Sequence, residues 1–354
     1  MILNVFAFIF GENILGLTLG VLCGGLLQFL IQMPVLRARG FRFTYFFRDF
    51  KHASSKLLGK LMLPRLFSSS IYQANNFVDS IFASLQIITG EGAVAALYFS
   101  YRFIQFPLGI FINSLFQAIL PAFSLQAALK DNDKMKDTLS FGLRLTFFLM
   151  LPAQAAFMVL NKNIISVLFQ GGRFDAYAVN LTANALFFYS IGLFAYGATK
   201  IIQAGFFALK DTVTPAKVSF LSLVSNIILN AILIFPMKLA GLALATSISG
   251  IGTCLLLFFL LKKKLVSFNS KPIFVSFMRI LASSVLMGLV CSYFSQIDIF
   301  GKSRFGQTYS LLLTFCAAIL SYVVFCSILR VRELAEAWNW FSKRFLGPIP
   351  SNAR

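Results

Sequence analysis

The sequence has few acidic residues and almost no histidine. Its 354 residues include 12 Asp and Glu and a single histidine, His52, which leaves little material for general acid–base catalysis. The five cysteines form no CxxC or Cys/His cluster, so neither a zinc site nor a disulfide framework is predicted. Charged residues make up only 12% of the chain, against about 25% in an average soluble domain. These scarcities disfavour a soluble enzyme and a structural metalloprotein.

Apolar residues, in contrast, make up 58% of the chain, and the mean hydropathy of the chain is +0.81. Runs of about 20 apolar residues, long enough to cross a ~30 Å hydrocarbon core as helices, recur throughout. A lipid-exposed backbone must satisfy its own amides, and the runs are too long for barrel strands of ~10 residues. We therefore predict an all-α, polytopic transmembrane helical bundle. Its nine spans are expected at about 14–33, 62–85, 92–120, 139–160, 181–206, 216–236, 241–261, 275–295 and 308–329.

The apolar stretch at 1–10 lacks the basic start and the small-residue cleavage site of a signal peptide. We expect it to be the end of another membrane helix, a half-span. On this interpretation the chain is either a fragment or a natural short product without its front end. The half-span and the first full span form the first predicted domain, 1–36.

Basic residues are distributed unequally between the two predicted sides of the membrane. One set of segments holds 21 Lys and Arg and the other holds 5. The richer set comprises 34–61, 121–138, 207–217, 262–274 and the tail after 329. The positive-inside rule places this set, and the C-terminus with it, on the cytoplasmic side of the membrane. The net charge of +19 is thus interpreted as an orientation signal and not as a nucleic-acid-binding face.

Three segments outside the spans carry further expectations. Residues 37–61 are predicted to be a basic cytoplasmic loop, and 331–354 a cytoplasmic tail that lies at the inner interface. The stretch 161–174 is either an amphipathic segment on the outer interface or the end of the preceding helix.

Arg102 is the most prominent charge inside a predicted span. It lies about ten residues into its helix, hence ~15 Å deep, and Pro107 and Gly109 follow where a proline can bend the helix around a cavity. An arginine fork suits a diphosphate or a carboxylate, although pairing with helix carbonyls or an internal acid is the alternative. Lys200 lies nearer the inner end of its span, so it is either a second cavity cation or a side chain that snorkels to the interface.

Four oxygen-bearing side chains share one depth in the outer third of three spans. Asp79, Asn226, Asn230 and Thr246 each lie about six residues from the outer end of a helix, and the two asparagines share one helix face. Carboxylate, amide and hydroxyl oxygens are the ligands that hard cations prefer, so we predict a monovalent cation site, for sodium or with a proton in its place. The alternative is a hydrogen-bonded cluster that only packs helices together.

Six local patterns in this order resemble the MurJ (MviN) flippase family, over nearly the whole chain and more weakly in the last two spans. They are Gly24-Gly25-x-x-Gln28-x-x-x-Gln32-x-Pro34, Lys60-Leu61-Met62-Leu63-Pro64, Asp79-x-Ile81-Phe82-Ala83-Ser84, Arg102-x-x-x-Phe106-Pro107-Leu108-Gly109, Leu168-Phe169-Gln170-x-Gly172-x-Phe174 and Ala208-x-x-Asp211-x-x-Thr214-Pro215.

The resemblance implies a MATE-like architecture with two six-helix lobes around a cationic cavity, into which this chain aligns from the end of the fifth helix. Residues 62–261 would form the second lobe, and 262–330 two further helices that make a groove for a lipid tail. It also implies that Arg102 is a cavity arginine, with Gln105 and Lys200 as further substrate-binding candidates. Many family members carry acids where this chain has Tyr101 and Gln105, which leaves the local charge here more positive.

The function implied is translocation of lipid II, the lipid-linked peptidoglycan precursor, by alternating access and without an enzymatic step or a cofactor beyond the coupled ion. Membrane lipids and cell-wall synthesis proteins are the further partners expected. A MATE-like exporter, an O-antigen-type flippase and a non-transporting membrane scaffold remain as alternatives. A polyprenyl-phosphate glycosyltransferase or phosphatase is disfavoured because it would need clustered acids or a histidine motif at one membrane face.

Overall fold

The computed structural model describes residues 14–40, 70–71, 73–265, 268–296 and 304–336. The chain divides into two units, Met1–Met62 and Leu63–Arg354. In the first unit, helix α1 runs over Ile14–Ala38 and has a mostly exposed, apolar surface. His52 and most of the predicted loop at 37–61 lie outside the described residues, as does most of the predicted C-terminal tail.

The second unit is built from helices, and within the described ranges the extended structure is limited to one bridge between Gly171 and Phe174. Its helices are α2 over 73–83, α3 (Gln86–Thr89), α4 (Ala93–Pro107), α5 (Asn113–Ala128), α6 (Asn132–Phe169), α7 (Ala176–Ser190), α8 (Leu193–Ala208), α9 (Val213–Met237), α10 (Leu239–Lys264), α11 (Lys271–Ser295) and α12 (Arg304–Ile328). A π-helical turn, Leu108–Ile112, joins α4 to α5. The all-α fold class is therefore confirmed.

Seven helical stretches in the described residues, one of them α4 with the π-turn and α5, are long and apolar enough to cross a membrane, and the pair α7 and α8, bent by 45°, makes an eighth if it forms one span. Eight of the nine predicted spans coincide with these helices. The ninth, at 62–85, lies partly outside the described residues and its described part contains α2.

Two predicted spans are shorter than the helices found. The span placed at 92–120 continues through the π-turn to Ala128, and the one placed at 139–160 extends over all 38 residues of α6. Of the two alternatives for 161–174, the end of the preceding helix is found for its first part, since α6 continues to Phe169 with Ile164 and Ile165 buried in the core. At 1.5 Å per residue α6 measures about 57 Å, so it extends well beyond a ~30 Å hydrocarbon core.

Helix α6 is the central element against which α5, α7, α8, α11 and α12 pack. Buried apolar side chains form two clusters along it, one shared with α8, α10, α11 and α12, the other with α4 and α7. Leu160 and Met150, both fully buried, belong to the first and the second cluster respectively. The arrangement places α11 and α12 on the same long helix that supports the rest of the unit.

The loops of this unit gather at two ends. At one, here called the basic end, Lys264 pairs with Asp211 across two loops, and three helices end at a Lys or Arg with positive φ, namely Lys130, Lys210 and Arg330. Such a cation also interacts favourably with the helix dipole. At the other, here called the opposite end, residues 87–90 lie beside Tyr177 and the α9–α10 turn. This alternation agrees with the predicted loop sets, whereas the assignment of the basic end to the cytoplasm stays a prediction.

Candidate functional site

The structure brings Asp79, Asn226, Asn230 and Thr246 into one hydrogen-bonded cluster between α2, α9 and α10, here called the Asp79 cluster. Asn230 Nδ2 donates to Asp79 Oδ1 at 2.7 Å, and Thr246 Oγ1 donates to Asp79 Oδ2 at 3.0 Å. The amide of Asn230 also lies 3.0 Å from Asn226 Oδ1, and Asn226 Nδ2 lies 3.2 Å from Thr246 Oγ1. The depth matching seen in the sequence thus corresponds to direct contact.

Local helix geometry explains how three separated segments meet. Asn226 and Asn230 are four residues apart on α9 and so project from one face, towards α10 and α2. Thr246 also bonds the carbonyl of Leu242 one turn earlier, which fixes its hydroxyl against the helix. Both asparagines are fully buried and Asp79 is 5% exposed. Three of the four side chains are therefore shielded from bulk solvent, and Thr246 is partly exposed.

The electrostatics of the Asp79 cluster are incomplete without a further positive charge. Among the described residues, no Lys or Arg lies within 4 Å of the Asp79 carboxylate, and its partners are neutral. Asn230 Oδ1 is buried and has no hydrogen-bond donor. A buried carboxylate is costly unless it is paired, protonated or bound to a cation. Its oxygens and the spare amide oxygen of Asn230 fit a small hard cation.

Arg102 is exposed on α4, one turn after Tyr98. Its Nη2 donates to the Tyr98 hydroxyl at 2.7 Å, and its guanidinium carbon lies 4.8 Å from the centre of the Tyr98 ring. No carboxylate in the described part of the chain lies within 4 Å of it, so the alternative pairing with an internal acid is not found. Tyr98 orients the guanidinium while leaving further N–H donors for an anion.

The helix that carries Arg102 is interrupted soon after it. Pro107 removes a backbone donor, and the π-turn Leu108–Ile112 follows at once. The predicted irregularity after Arg102 is thus present, as a π-helical turn within a continuous helical path.

Lys200 and Gln105, the other predicted substrate contacts, occupy different surroundings. The Lys200 ammonium is half-buried and donates to Asn113 Oδ1 at 2.8 Å, which links α8 to the first residue of α5. Gln105 is half-buried on α4, three residues after Arg102. Asn113 was not predicted as a site residue, and it lies directly after the π-turn.

A second buried polar network escaped the sequence analysis. Glu333, in the short helical turn 332–336, accepts from Arg144 Nη1 at 3.1 Å and from Ser276 Oγ at 2.7 Å. It is 2% exposed, and it joins α6, α11 and the segment after α12 at the basic end. The three residues are separated by up to 189 positions in sequence, so no local pattern reveals the pairing.

Comparison with known proteins identifies the family. The family model described as "Lipid II flippase MurJ" matches residues 1–327. The chain belongs to the MurJ family. A probable lipid II flippase MurJ from Vibrio cholerae serotype O1 is 36% identical over 243 residues, which cover 69% of this chain and 46% of the relative. One from Haemophilus influenzae is 31% identical over 332 residues, or 90% of this chain and 63% of the relative.

Solved structures agree with this MurJ membership. A structure described as lipid II flippase MurJ in an inward closed conformation matches with a TM-score of 0.72 at 26% identity, covering 94% of this chain and 66% of that one. A MOP superfamily transporter from Pyrococcus furiosus matches at 18% identity with a TM-score of 0.50, which supports the fold alone. The chain spans 46% and 63% of the lengths of the two MurJ relatives above. It is a multi-pass membrane protein of a flippase family.

Proposed function

We propose that this chain forms the substrate-binding and ion-coupled lobe of a lipid II flippase, which moves the precursor across the bacterial cytoplasmic membrane by alternating access. Membership of the MurJ family and the names of its relatives support the choice of substrate. The observation in this chain that carries the proposal is the exposed Arg102 guanidinium, held by Tyr98 about ten residues into a helix that is long and apolar enough to cross a membrane, with no carboxylate within 4 Å among the described residues.

Arg102 provides the contact for the diphosphate of the headgroup. A charge at membrane depth costs several kcal/mol, so an arginine held there without an acid suits a site that binds an anion in part of its cycle. While Nη2 donates to the Tyr98 hydroxyl, other N–H groups of the guanidinium can donate two parallel hydrogen bonds to phosphate oxygens. Lys200 adds an ammonium donor for the sugar and phosphate oxygens. Gln105, three residues after Arg102 in sequence, adds an amide donor.

The Asp79 cluster provides the coupling site. A sodium ion, or a proton in its place, would neutralise the Asp79 carboxylate and occupy the free acceptor of Asn230. A cation bound more tightly in one conformation than in the other shifts the equilibrium between them by that difference in affinity. An ion gradient would then drive reorientation of the lobe without a covalent step.

The orientation follows from the basic residues. The basic end lies in the cytoplasm, the C-terminus with it, and the Asp79 cluster lies in the outer part of the membrane. Cysteine introduced at Lys263, an exposed residue of the basic end, should react with impermeant reagents only from the cytoplasmic side. Labelling from the periplasm would invert the topology.

Lipid II binding by the purified chain in nanodiscs tests the substrate. Arg102→Ala should weaken binding by about tenfold or more, because a charge-assisted bond contributes roughly 1.5–3 kcal/mol. Arg102→Lys should fall between Ala and wild type, since the ammonium keeps the charge and loses the planar fork. Arg173→Ala, which removes an exposed arginine at the opposite end, is the matched control.

Two outcomes would contradict the proposal. Equal affinity of wild type and Arg102→Ala would remove Arg102 from the substrate site. Equal affinity for lipid II and for an undecaprenyl-linked O-antigen unit would favour a polysaccharide-lipid flippase of wider specificity.

A further inference from the structure

A cavity of about 290 Å³ opens at the opposite end of the bundle. Its walls come from α3 and the residue after it, from the first turns of α7, and from the α9–α10 turn. They include Ile87, Thr89, Gly90, Tyr177, Asn184 and Lys238. The cavity combines polar groups with apolar walls, and none of these residues belongs to the Asp79 cluster.

Helix register places this cavity beyond the Asp79 cluster, towards the opposite end. On α9, Lys238 comes eight residues after Asn230, and on α10, Leu239 comes seven residues before Thr246. Each interval is about two helical turns, or ~11 Å. The cavity and the cluster thus lie on the same pair of helices, separated by two turns.

An apolar layer fills the turn between them. One turn outward from Asp79, Asn230 and Thr246 stand Ala83, Ile234 and Leu242, and their exposed fractions are 0%, 1% and 0%. All three belong to one packed apolar cluster. Thr89 lines the cavity and donates to the Ala83 carbonyl at 2.9 Å, so it links the cavity wall to this layer.

We propose that the cavity is the outer mouth of the cation pathway to the Asp79 cluster, closed here by a gate of Ala83, Ile234 and Leu242. The inference rests on the cation site proposed above. A layer of apolar side chains one turn thick excludes water, so a hydrated sodium ion cannot pass from the cavity to the carboxylate while the layer is packed. Opening requires only that three small or aliphatic side chains separate.

Two residues shape the mouth. Gly90 has φ +92°, and a Cβ there would collide with the Tyr177 hydroxyl, so glycine allows the α3 loop to close against α7. Lys238 holds a positive charge at the rim, with φ +53°. That charge lowers the local concentration of sodium and slows its arrival.

The first test measures release of ²²Na⁺ from the full chain in nanodiscs after dilution into unlabelled sodium chloride. Leu242→Ala opens the gate and should accelerate release by about tenfold, equivalent to lowering the barrier by ~1.4 kcal/mol. Leu257→Ala is the matched control, because Leu257 is also fully buried on α10 but lies in the other apolar cluster. It should leave the release rate unchanged.

The second test needs no bound sodium and stands if Leu242→Ala folds poorly. Ala83→Cys, in a chain whose five native cysteines are replaced by alanine, is expected to resist the charged reagent MTSET in sodium-free buffer, and to react after Leu242→Val loosens the layer. Ala204→Cys, equally buried in the other cluster, should stay unreactive in both backgrounds.

The third test addresses the rim. Lys238→Gln keeps the Cβ and hence the backbone strain, and it should raise the rate of ²²Na⁺ binding by roughly threefold at low ionic strength and not at high salt. Lys162→Gln removes an exposed charge near the same end without touching the cavity.

The outcomes separate this inference from the coupling proposal. If ²²Na⁺ binds and Asp79→Asn abolishes binding, but Leu242→Ala and Lys238→Gln leave both rates unchanged, the pathway is elsewhere and the gate is overturned. If wild type shows no Asp79-dependent binding, the coupling proposal fails, and MTSET access to Ala83→Cys still decides whether the layer is a gate.

Discussion

Two buried polar networks lie in different parts of the same helical unit, and each is built around one carboxylate. Asp79 is 5% exposed and Glu333 is 2% exposed, and each joins three separate elements. Asp79 has only neutral partners, whereas Glu333 is paired with Arg144. The first network therefore lacks a positive charge, whereas in the second Arg144 lies 3.1 Å from Glu333 and 3.9 Å from the half-exposed Glu336.

This difference in charge predicts a difference in role. A buried ion pair has its counter-charge within the protein, and its contribution to stability depends on keeping both partners. A buried carboxylate with neutral partners becomes complete only when a cation or a proton arrives, so its stability depends on solution conditions. We infer that the Glu333 network holds α11 and α12 on α6, and that the Asp79 cluster responds to ions.

The largest expected effect comes from breaking the Glu333 network. Glu333→Gln leaves Arg144 with only the half-exposed Glu336, 3.9 Å away, as a counter-charge, and Arg144→Met leaves Glu333 buried with none among the described residues, so each should lower the free energy of unfolding, by up to about 3–5 kcal/mol for Arg144→Met. Thermal unfolding of the purified chain in detergent measures this. The loss should be the same in sodium chloride and in choline chloride.

The double variant Arg144→Met/Glu333→Leu supplies the control. Replacing both charges with apolar groups removes the uncompensated charge, so the double variant should be more stable than either single variant. Additive losses in the double variant would show that packing, and not the ion pair, makes these positions sensitive. Sodium-dependent stability of Glu333→Gln would remove the distinction between the two networks.

A smaller effect is expected at the Asp79 cluster, and this one should depend on sodium. Wild type should be stabilised by sodium chloride relative to choline chloride, by about 2.7 kcal/mol when sodium exceeds its dissociation constant 100-fold. Asp79→Asn keeps the size of the side chain and removes its charge, so its stability should be equal in the two salts.

Glu91→Gln is the matched control for Asp79→Asn. Glu91 is an exposed acid in the loop of the opposite end, so its replacement removes one negative charge outside the cluster. It should keep the full sodium response. If Asp79→Asn also keeps that response, Asp79 is a packing residue, and the first network, like the second, needs no bound cation.

The two networks also differ in how far the sequence could predict them. Asn226 and Asn230 share a helix face, and counting residues from predicted span ends placed Asp79 and Thr246 at the same depth, so the contacts of the Asp79 cluster were anticipated. Its function as a cation site stays a prediction. Glu333 lay in what was predicted to be an interfacial tail, where its burial against Arg144 and Ser276 could not be foreseen.

The positions of most membrane helices could be predicted from the sequence, whereas their exact ends and the π-turn could not. Apolar runs gave eight spans that coincide with helices, because the bilayer imposes a minimum length on each. They did not give the ends of α6, since a helix that extends beyond the membrane loses its apolar pattern and keeps its backbone hydrogen bonds. The π-turn after Pro107 was likewise beyond prediction, although the proline marked its place.

The smallest expected effect is at the basic end, where a partly exposed pair, with the Lys264 side chain 43% and the Asp211 side chain 16% exposed, tests whether complete burial is what separates the two networks. Asp211 pairs with Lys264, and its Oδ1 accepts from the Thr214 amide at 2.9 Å, which caps the first turn of α9. Partial burial alone would raise the pKa of the Asp211 carboxyl, but hydrogen bonds from Lys264 and Thr214 outweigh it and hold the pKa below its ordinary value.

Asp211→Asn preserves the cap and removes the charge, so it should cost about 0.5 kcal/mol, as exposed pairs do. Because the pKa is lower in the folded state, this contribution is fully present above the ordinary aspartate pKa, and it disappears as the pH falls below about 4. Unfolding of wild type and Asp211→Asn between pH 3 and 7 measures it. A loss as large as that of Glu333→Gln would mean that partner charge, and not complete burial, determines how much each carboxylate contributes.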